Sequence, residues 1–407
     1  MTTDYKPTIL FISSTFKGLS MMEQVHEMNC FVLLLTEEQF RDDPWNHQHI
    51  DEIFFTPDLA KYQDVIHTVS YLCRGRQIDY IVPLDEFEVE LVSMLREHLR
   101  LPGMSVTASR KFRDKLTMRQ LAHEAGIPVP EFVAVKNYDA LRDYMERVPA
   151  PWVLKPRSEA SAMGIEKVQE SERLWRALDE LGDKQSYYLL ERFVPGDVFH
   201  VDSLVVEGEI VFVSVQKYGA PPMTIYQGGG VFNSRVIPHE TGDAPELRKL
   251  NQQVVIDALG MVNGVAHTEF IKAHEDDTYY FLESAARVGG AHIAELIEYA
   301  TGVNLWREWG RLVISQMRGE SYTLPEVKEN YGGLMMTLSK QEHPDMASYD
   351  APEVVWRAQK AYHAGLIVVS PDYERVQELL VSYNQRFLED FTAVAPPMGT
   401  QRTGSTD

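Results

Sequence analysis

The chain has 407 residues, 44% hydrophobic and 24% charged, with a net charge of −21; this length exceeds one ordinary core, and the acidic balance excludes a broad nucleic-acid footprint. Two cysteines, Cys30 and Cys73, exclude a disulfide framework and a Cys-rich zinc site. The longest apolar runs are too short to span a bilayer and residues 1–7 hold no apolar signal region, which together point to the cytoplasm and away from a membrane.

Strand and helix patterns alternate over the first third. Apolar runs at 8–13, 31–35, 53–55 and 79–83 read as strands, and the segments 19–28, 58–73 and 86–99 have helical periodicity. The alternation predicts a parallel sheet flanked by helices, ended by Pro102-Gly103. A helix over 114–125, stopped by Gly126, opens a second unit. Strand 152–156 runs into a small-residue loop at 158–164, helix 171–181 follows, and strand 187–194 ends at Pro195-Gly196. Strands between 201 and 218 meet at a Glu207-Gly208 turn, Gln227-Gly-Gly-Gly230 marks a mobile loop, and 246–259 is a helix. Beyond a hairpin, Gly289-Gly290 opens a helix over 291–300, a last helix covers 373–391, and the end of the chain reads as disordered.

The hairpin carries the chemistry. Segments 264–270 and 279–283 flank a turn-like stretch of charged residues, and each contributes one carboxylate. A turn centred on Asp276 sets Glu269 directly opposite Glu283 on one face. Facing like charges are destabilising, so a cation is expected between them, and with Arg287 nearby the set suits Mg²⁺ and a transferring phosphoryl group. A loop one residue longer or shorter would put the two on opposite faces. There is no Walker A loop, no Gly-x-Gly-x-x-Gly after the first strand, no Gly-x-Ser-x-Gly elbow and no His-Glu-x-x-His helix. Instead, Lys115 opens a helix and Lys155 ends a strand before the small-residue loop, so two lysines can clamp a polyphosphate. Residues 191–194 can offer backbone hydrogen bonds to an adenine edge. His267 shares a strand face with Glu269, as a substrate contact or a satisfied core histidine. Gly289, Gly290 and His292 form either a carboxylate-binding helix start or a glycine-assisted turn. Gln216, Lys217 and Tyr218 are further substrate candidates.

In this order, these residues resemble the ATP-grasp superfamily. The likeness rests on Asp114-Lys-Leu-Thr-Met-Arg119, Ala125-Gly-Ile-Pro-Val-Pro130, Trp152-Val-Leu-Lys155-Pro156, Leu190-Glu-Arg-Phe-Val-Pro-Gly196 and Glu283-Ser-Ala-Ala-Arg287, and extends over about 7–391. Arg287-Val-Gly-Gly-Ala-His292 and the following 296–304 look most like carboxylate–amine ligases of the amino-acid ligase group.

The resemblance implies an α/β ATP-grasp fold. Its parts would be an N-terminal parallel domain (1–108), a lid subdomain (109–190), a catalytic antiparallel-sheet subdomain (191–325), a small C-terminal lobe (326–393) and a disordered tail (394–407). It implies that a carboxylate is phosphorylated by ATP and the acyl phosphate captured by an amine, giving an amide, ADP and phosphate. Lys115, Lys155 and Ser158 would bind phosphate, and Glu191, Arg192, Phe193 and Val194 adenine. Glu269 and Glu283 would hold Mg²⁺, or Mn²⁺ in its place, and Arg287 would steady the transferred group. The substrates would be small carboxylates and amines, amino acids among them, and a homodimer is common in that group. Three departures stand out: Ala285 replaces the usual asparagine, the 158–164 loop holds one glycine, and Val198 replaces an acidic residue, which leaves Asp197, His200 or Asp202 for the ribose. Two other readings remain: a carboxylation of biotin or of a purine precursor, and a nucleotide-binding module without catalysis.

Overall fold

The computed structural model describes residues 5–160 and 163–393, apart from the side chains of 226 and 227. The expected disorder of the C-terminal tail and part of the small-residue loop read at 158–164 therefore fall outside the described residues.

The N-terminal unit is a parallel sheet of β1 (Thr8–Ser13), β2 (Phe31–Glu37), β3 (Glu52–Thr56) and β4 (Tyr80–Pro83), in the order β3-β2-β1-β4. Helices α1 (Leu19–Glu27), α2 (Tyr62–Leu72) and α3 (Val89–Leu99) accompany it. Continuous apolar strands such as 31–35 are what a sheet covered on both faces requires. The short α4 (Val106–Arg110) leads to α5 (Lys115–Glu124), capped by the Asp114 carboxylate, which accepts from the Leu116 and Thr117 N–H groups.

The second sheet is antiparallel, in the order β5-β8-β6-β7: β5 (Phe132–Ala134), β6 (Trp152–Pro156), β7 (Glu166–Val168) and β8 (Tyr188–Arg192). It carries α6 (Tyr138–Arg147), which the sequence reading passed over, and α7 (Ser171–Leu181).

The central sheet comprises β9 (Gly196–Val206), β10 (Glu209–Tyr218), β11 (Phe232–Val236), β12 (Gly264–Ala273), β13 (Tyr279–Ala285), β14 (Tyr331–Leu338), β15 (Val354–Arg357) and β16 (His363–Ser370). Its order is β13-β12-β9-β10-β11-β14-β16-β15, so the C-terminal strands extend this sheet instead of forming one of their own. Helix α8 (Pro222–Gly228) corrects the reading of 227–230 as a loop from its start: the helix runs through Gly228 before Gly229 and Gly230 end it. Helix α9 (Ala244–Gln252) packs Leu247 and Leu250 on one face of the sheet. Against the other lie α10 (Ile293–Thr301), with Leu296 and Ile297, and α11 (Leu305–Arg318), with Leu312 and Val313. The last helix, α12 (Tyr373–Asp390), covers β14 and β16.

Candidate active site

The hairpin places the two carboxylates opposite each other by a route the sequence did not show. Glu269 pairs with Glu283, but Phe270 pairs with Phe281 and Ile271 with Tyr280. Along that ladder the residue facing Glu269 would be Leu282. A β-bulge between Glu269 and Phe270 absorbs the extra residue and restores Glu283 to the facing position.

The structure also shows which groups neutralise the pair. Lys115 lies 2.8 Å from Glu283 and donates to the Glu159 carbonyl at 2.6 Å. Tyr218 donates to Glu269 at 2.8 Å, and His267 Nε2 lies 3.7 Å from the same oxygen. Burial works against charge on His267, but Asp202 at 2.9 Å outweighs it and holds the imidazole pKa at about 10. The hairpin thus presents two carboxylates, held by a lysine, an imidazolium and a phenol. Such an all-oxygen donor pair fits a hard divalent cation.

Behind Lys155 lies a buried charge cluster. Lys155 meets Glu191 at 2.5 Å, and the other Glu191 oxygen accepts from Arg119 at 3.0 Å. Arg119 has no exposed surface and also donates to the Leu282 carbonyl, on the hairpin, at 2.5 Å. Burial and the Arg119 charge outweigh the pull of Glu191 and bring the Lys155 pKa down to about 8. Glu191 therefore acts through its side chain as the counterion of Lys155 and Arg119, which sequence reasoning missed. The available signal was the four-residue spacing of Lys115 and Arg119 on one helix. In the adenine candidate, Arg192 N–H donates to the Glu131 carbonyl and Phe193 N–H to that of Pro151. The Val194 N–H has no acceptor among the described residues.

Arg287 is held from the N-terminal unit. Its Nε and Nη2 donate to Glu86 Oε1 at 2.8 and 2.6 Å, and its Nη1 to the Val288 carbonyl. Two guanidinium N–H groups remain for a ligand. The other Glu86 oxygen accepts from Arg113 at 2.7 Å. Burial opposes ionisation of Glu86, but Arg287, Arg113 and Lys115 outweigh it and lower its pKa. Sequence reasoning assigned no role to Glu86, although it follows the C-terminal end of a parallel strand, where ligands bind in open α/β sheets.

These groups line one cavity of about 530 Å³. Lys115, Lys155, Glu191, Arg192, Phe193, Val194, His267, Glu269, Glu283, Arg287 and Gly290 are all on its wall, as are Ala285 and Tyr218, while Val153, Ile271 and Leu282 add apolar surface.

Other candidates stand apart from it. Ser158 contributes its carbonyl to Arg113 and does not line the cavity. His200 and Asp202 are corrected as ribose contacts: both are wholly buried and bonded to each other, His200 also to Ser234 and Asp202 to His267. Asp197 is engaged by Lys217 at 2.6 Å, outside the cavity wall. Lys217 is thereby occupied, and Gln216 is buried in the sheet. Gly289 packs on the Asp202–His267 pair, where a Cβ would come 2.8 Å from the carboxylate. His292 precedes α10 in the left-handed region and packs on Trp356 rather than on the cavity.

Residues 120–294 match the family model described as the ATP-grasp domain. The L-arginine-specific L-amino acid ligase of Bacillus subtilis is 25% identical over 291 residues, 69% of this chain and 68% of that protein. A solved L-amino acid ligase from Bacillus licheniformis superposes with a TM-score of 0.74 at 19% identity, covering 97% of this chain and all of its own. The N5-carboxyaminoimidazole synthetase of Staphylococcus aureus, solved with ADP, gives a TM-score of 0.70 at 17% identity, covering 93% and 97%. At these identities the superpositions establish the fold.

Proposed function

We infer that this chain, whose fold and central domain are those of the ATP-grasp family, is an ATP-dependent carboxylate–amine ligase acting on small molecules, amino acids among them. The observation that carries the reading is the facing pair Glu269 and Glu283, with Lys115, Lys155 and Arg287 on the wall of the same cavity. The similarity to an L-amino acid ligase over two thirds of the chain favours amide formation over carboxylation. It also favours catalysis over a silent nucleotide-binding module.

ATP would lie with its adenine edge at the Val194 N–H and its phosphates at Lys115 and Lys155. Glu269 and Glu283 would hold Mg²⁺, which when bound offsets charge on the phosphates. A substrate carboxylate oxygen attacks the γ-phosphorus as the bond to the ADP oxygen breaks. The amine then attacks the acyl carbon, phosphate leaves with its oxygen, and the amine proton passes to solvent. Arg287, fixed by Glu86, supplies two N–H donors to the growing negative charge; such preorganised donors cost no reorganisation during reaction. The remaining contribution is positioning. The units proposed are those of the sequence reading, 1–108, 109–190, 191–325 and 326–393, in a cytoplasmic protein that forms a homodimer. No helix of the described residues is long and apolar enough to cross a membrane.

The deciding experiment is ADP release from Mg²⁺-ATP across a matrix of carboxylic acids and amines, including all amino-acid pairs, with products identified by mass. ADP formed only when both partners are present, together with an amide product, supports the ligase. ADP formed with bicarbonate alone would replace it by a carboxylation.

A further inference from the structure

A second cavity, of about 940 Å³, lies between the N-terminal sheet and α11, and its wall includes Tyr80, Arg96, Gly103, Trp309 and Tyr322. Among the described residues it shares none with the first. Ala286 lines it whereas Ala285 and Arg287 line the first, so the two cavities lie on either side of one segment.

Arg96 is 6% exposed. Its Nε and Nη2 both donate to the Ile81 carbonyl, at 3.0 and 2.5 Å, and its guanidinium lies 4.9 Å from the Tyr80 ring centroid. No carboxylate of the described residues comes within 4.0 Å, the limit of an ion pair. A buried guanidinium without a counter-anion is costly, because the lost hydration is not replaced. Gly103 lets the chain close over it: a Cβ there would come 2.8 Å from the guanidinium carbon. Trp309, 7% exposed, also lines the cavity, and its indole N–H has no acceptor among the described residues. Glu207 and Glu320 line the cavity too, but both are exposed and neither pairs with Arg96.

We propose that this cavity is a second ligand site, which takes a small organic anion with a planar apolar body. The anionic oxygens meet the Arg96 guanidinium and the body lies among Tyr80, Trp309 and Tyr322. The charge explains the unpaired arginine, and the aromatic wall explains the planar part. The site is independent of the activity proposed for the first cavity.

The test is calorimetric titration of the full chain with indole-3-acetate and with indole-3-acetamide, in saturating Mg²⁺-ADP so that the first cavity is filled. The acid is expected to bind with 1:1 stoichiometry, and the amide at least about tenfold more weakly, as loss of a charged hydrogen bond requires. Arg96→Met should abolish the preference for the acid, and Trp309→Phe should weaken the acid several-fold; an unchanged circular-dichroism spectrum and melting temperature show that each variant is folded. Equal binding of acid and amide overturns the proposal, as does the absence of binding to the wild-type protein at millimolar acid. An acid preference that survives Arg96→Met overturns it as well.

Discussion

Lys155 offers the sharpest test of the charge cluster behind the nucleotide cavity. Its fall from the ordinary 10.5 to about 8 corresponds to a cost of about 3 kcal/mol on the charged form. Burial and Arg119 impose that cost, and Glu191 offsets only part of it. A polyphosphate at Lys155 would favour the ammonium and raise the pKa again. Binding of ATP at pH 8 should therefore take up about half a proton, because about half the free protein lacks it there. Above pH 8 the affinity should fall by up to about tenfold per pH unit until the pKa of the complex is reached. Unliganded stability should respond with the opposite sign. With the folded pKa depressed, the folded state binds fewer protons between pH 8 and 10.5, so this group makes the protein more stable as pH rises through that window. Calorimetry in two buffers of different ionisation enthalpy measures the uptake directly, and Lys155→Met should abolish it. A Kd that stays flat from pH 7 to 9.5 with no proton uptake would refute the placement of phosphate at Lys155.

The other tests address single links. Glu283→Gln, which removes a charge from the facing pair, should lower ADP release at least about a hundredfold with the melting temperature held, and wild-type turnover would exclude it as a metal ligand. Arg287→Ala should lose at least as much turnover; a variant as active as the wild type would remove Arg287 from the reaction. Arg119→Met leaves Glu191 with one cation and should destabilise the fold by about 3–5 kcal/mol in urea denaturation, whereas a loss under about 1 kcal/mol would mean that the cluster is not coupled. Glu88 is pushed up to about 8 by burial and the Asp85 carboxylate. Its contribution to stability is full below its unfolded value and is lost as pH rises through 8, so Glu88→Gln should melt progressively above the wild type between pH 5 and 8.5, and parallel melting curves would refute this.

The sheets and most helices were legible because local signals set them. The apolar run 31–35 allows only a strand with both faces buried, and Asp114 starts a helix through its own carboxylate. The site was legible where its residues lie close in sequence, as at Glu283 and Arg287. It was not legible where the partner is distant: Glu86 reaches Arg287 across 201 positions, and Arg119 reaches Leu282 across 163. Nothing in either local segment encodes those meetings. The helix at 222–228 was hidden by the glycines that follow it: only its last residue, Gly228, belongs to that run, and Pro222 stands at its start.

The hairpin shows why a correct conclusion needed more than its stated premise. Facing carboxylates were expected from a turn centred on Asp276, yet the ladder from Phe270 to Lys272 is offset by one from that centre. Extended without interruption, it would place Leu282 against Glu269 and turn Glu283 to the other face, because side chains alternate. The bulge reverses that outcome at the point where two carboxylates must converge. Its lost ladder regularity is compensated by Arg119, which donates to the Leu282 carbonyl, and by Lys115 on Glu283. The two cations that hold the bulged strand lie four residues apart on α5, so one helix face both supports the hairpin's irregularity and brings Lys115 to the cavity. A substitution that straightened the strand would therefore separate the carboxylates without removing either.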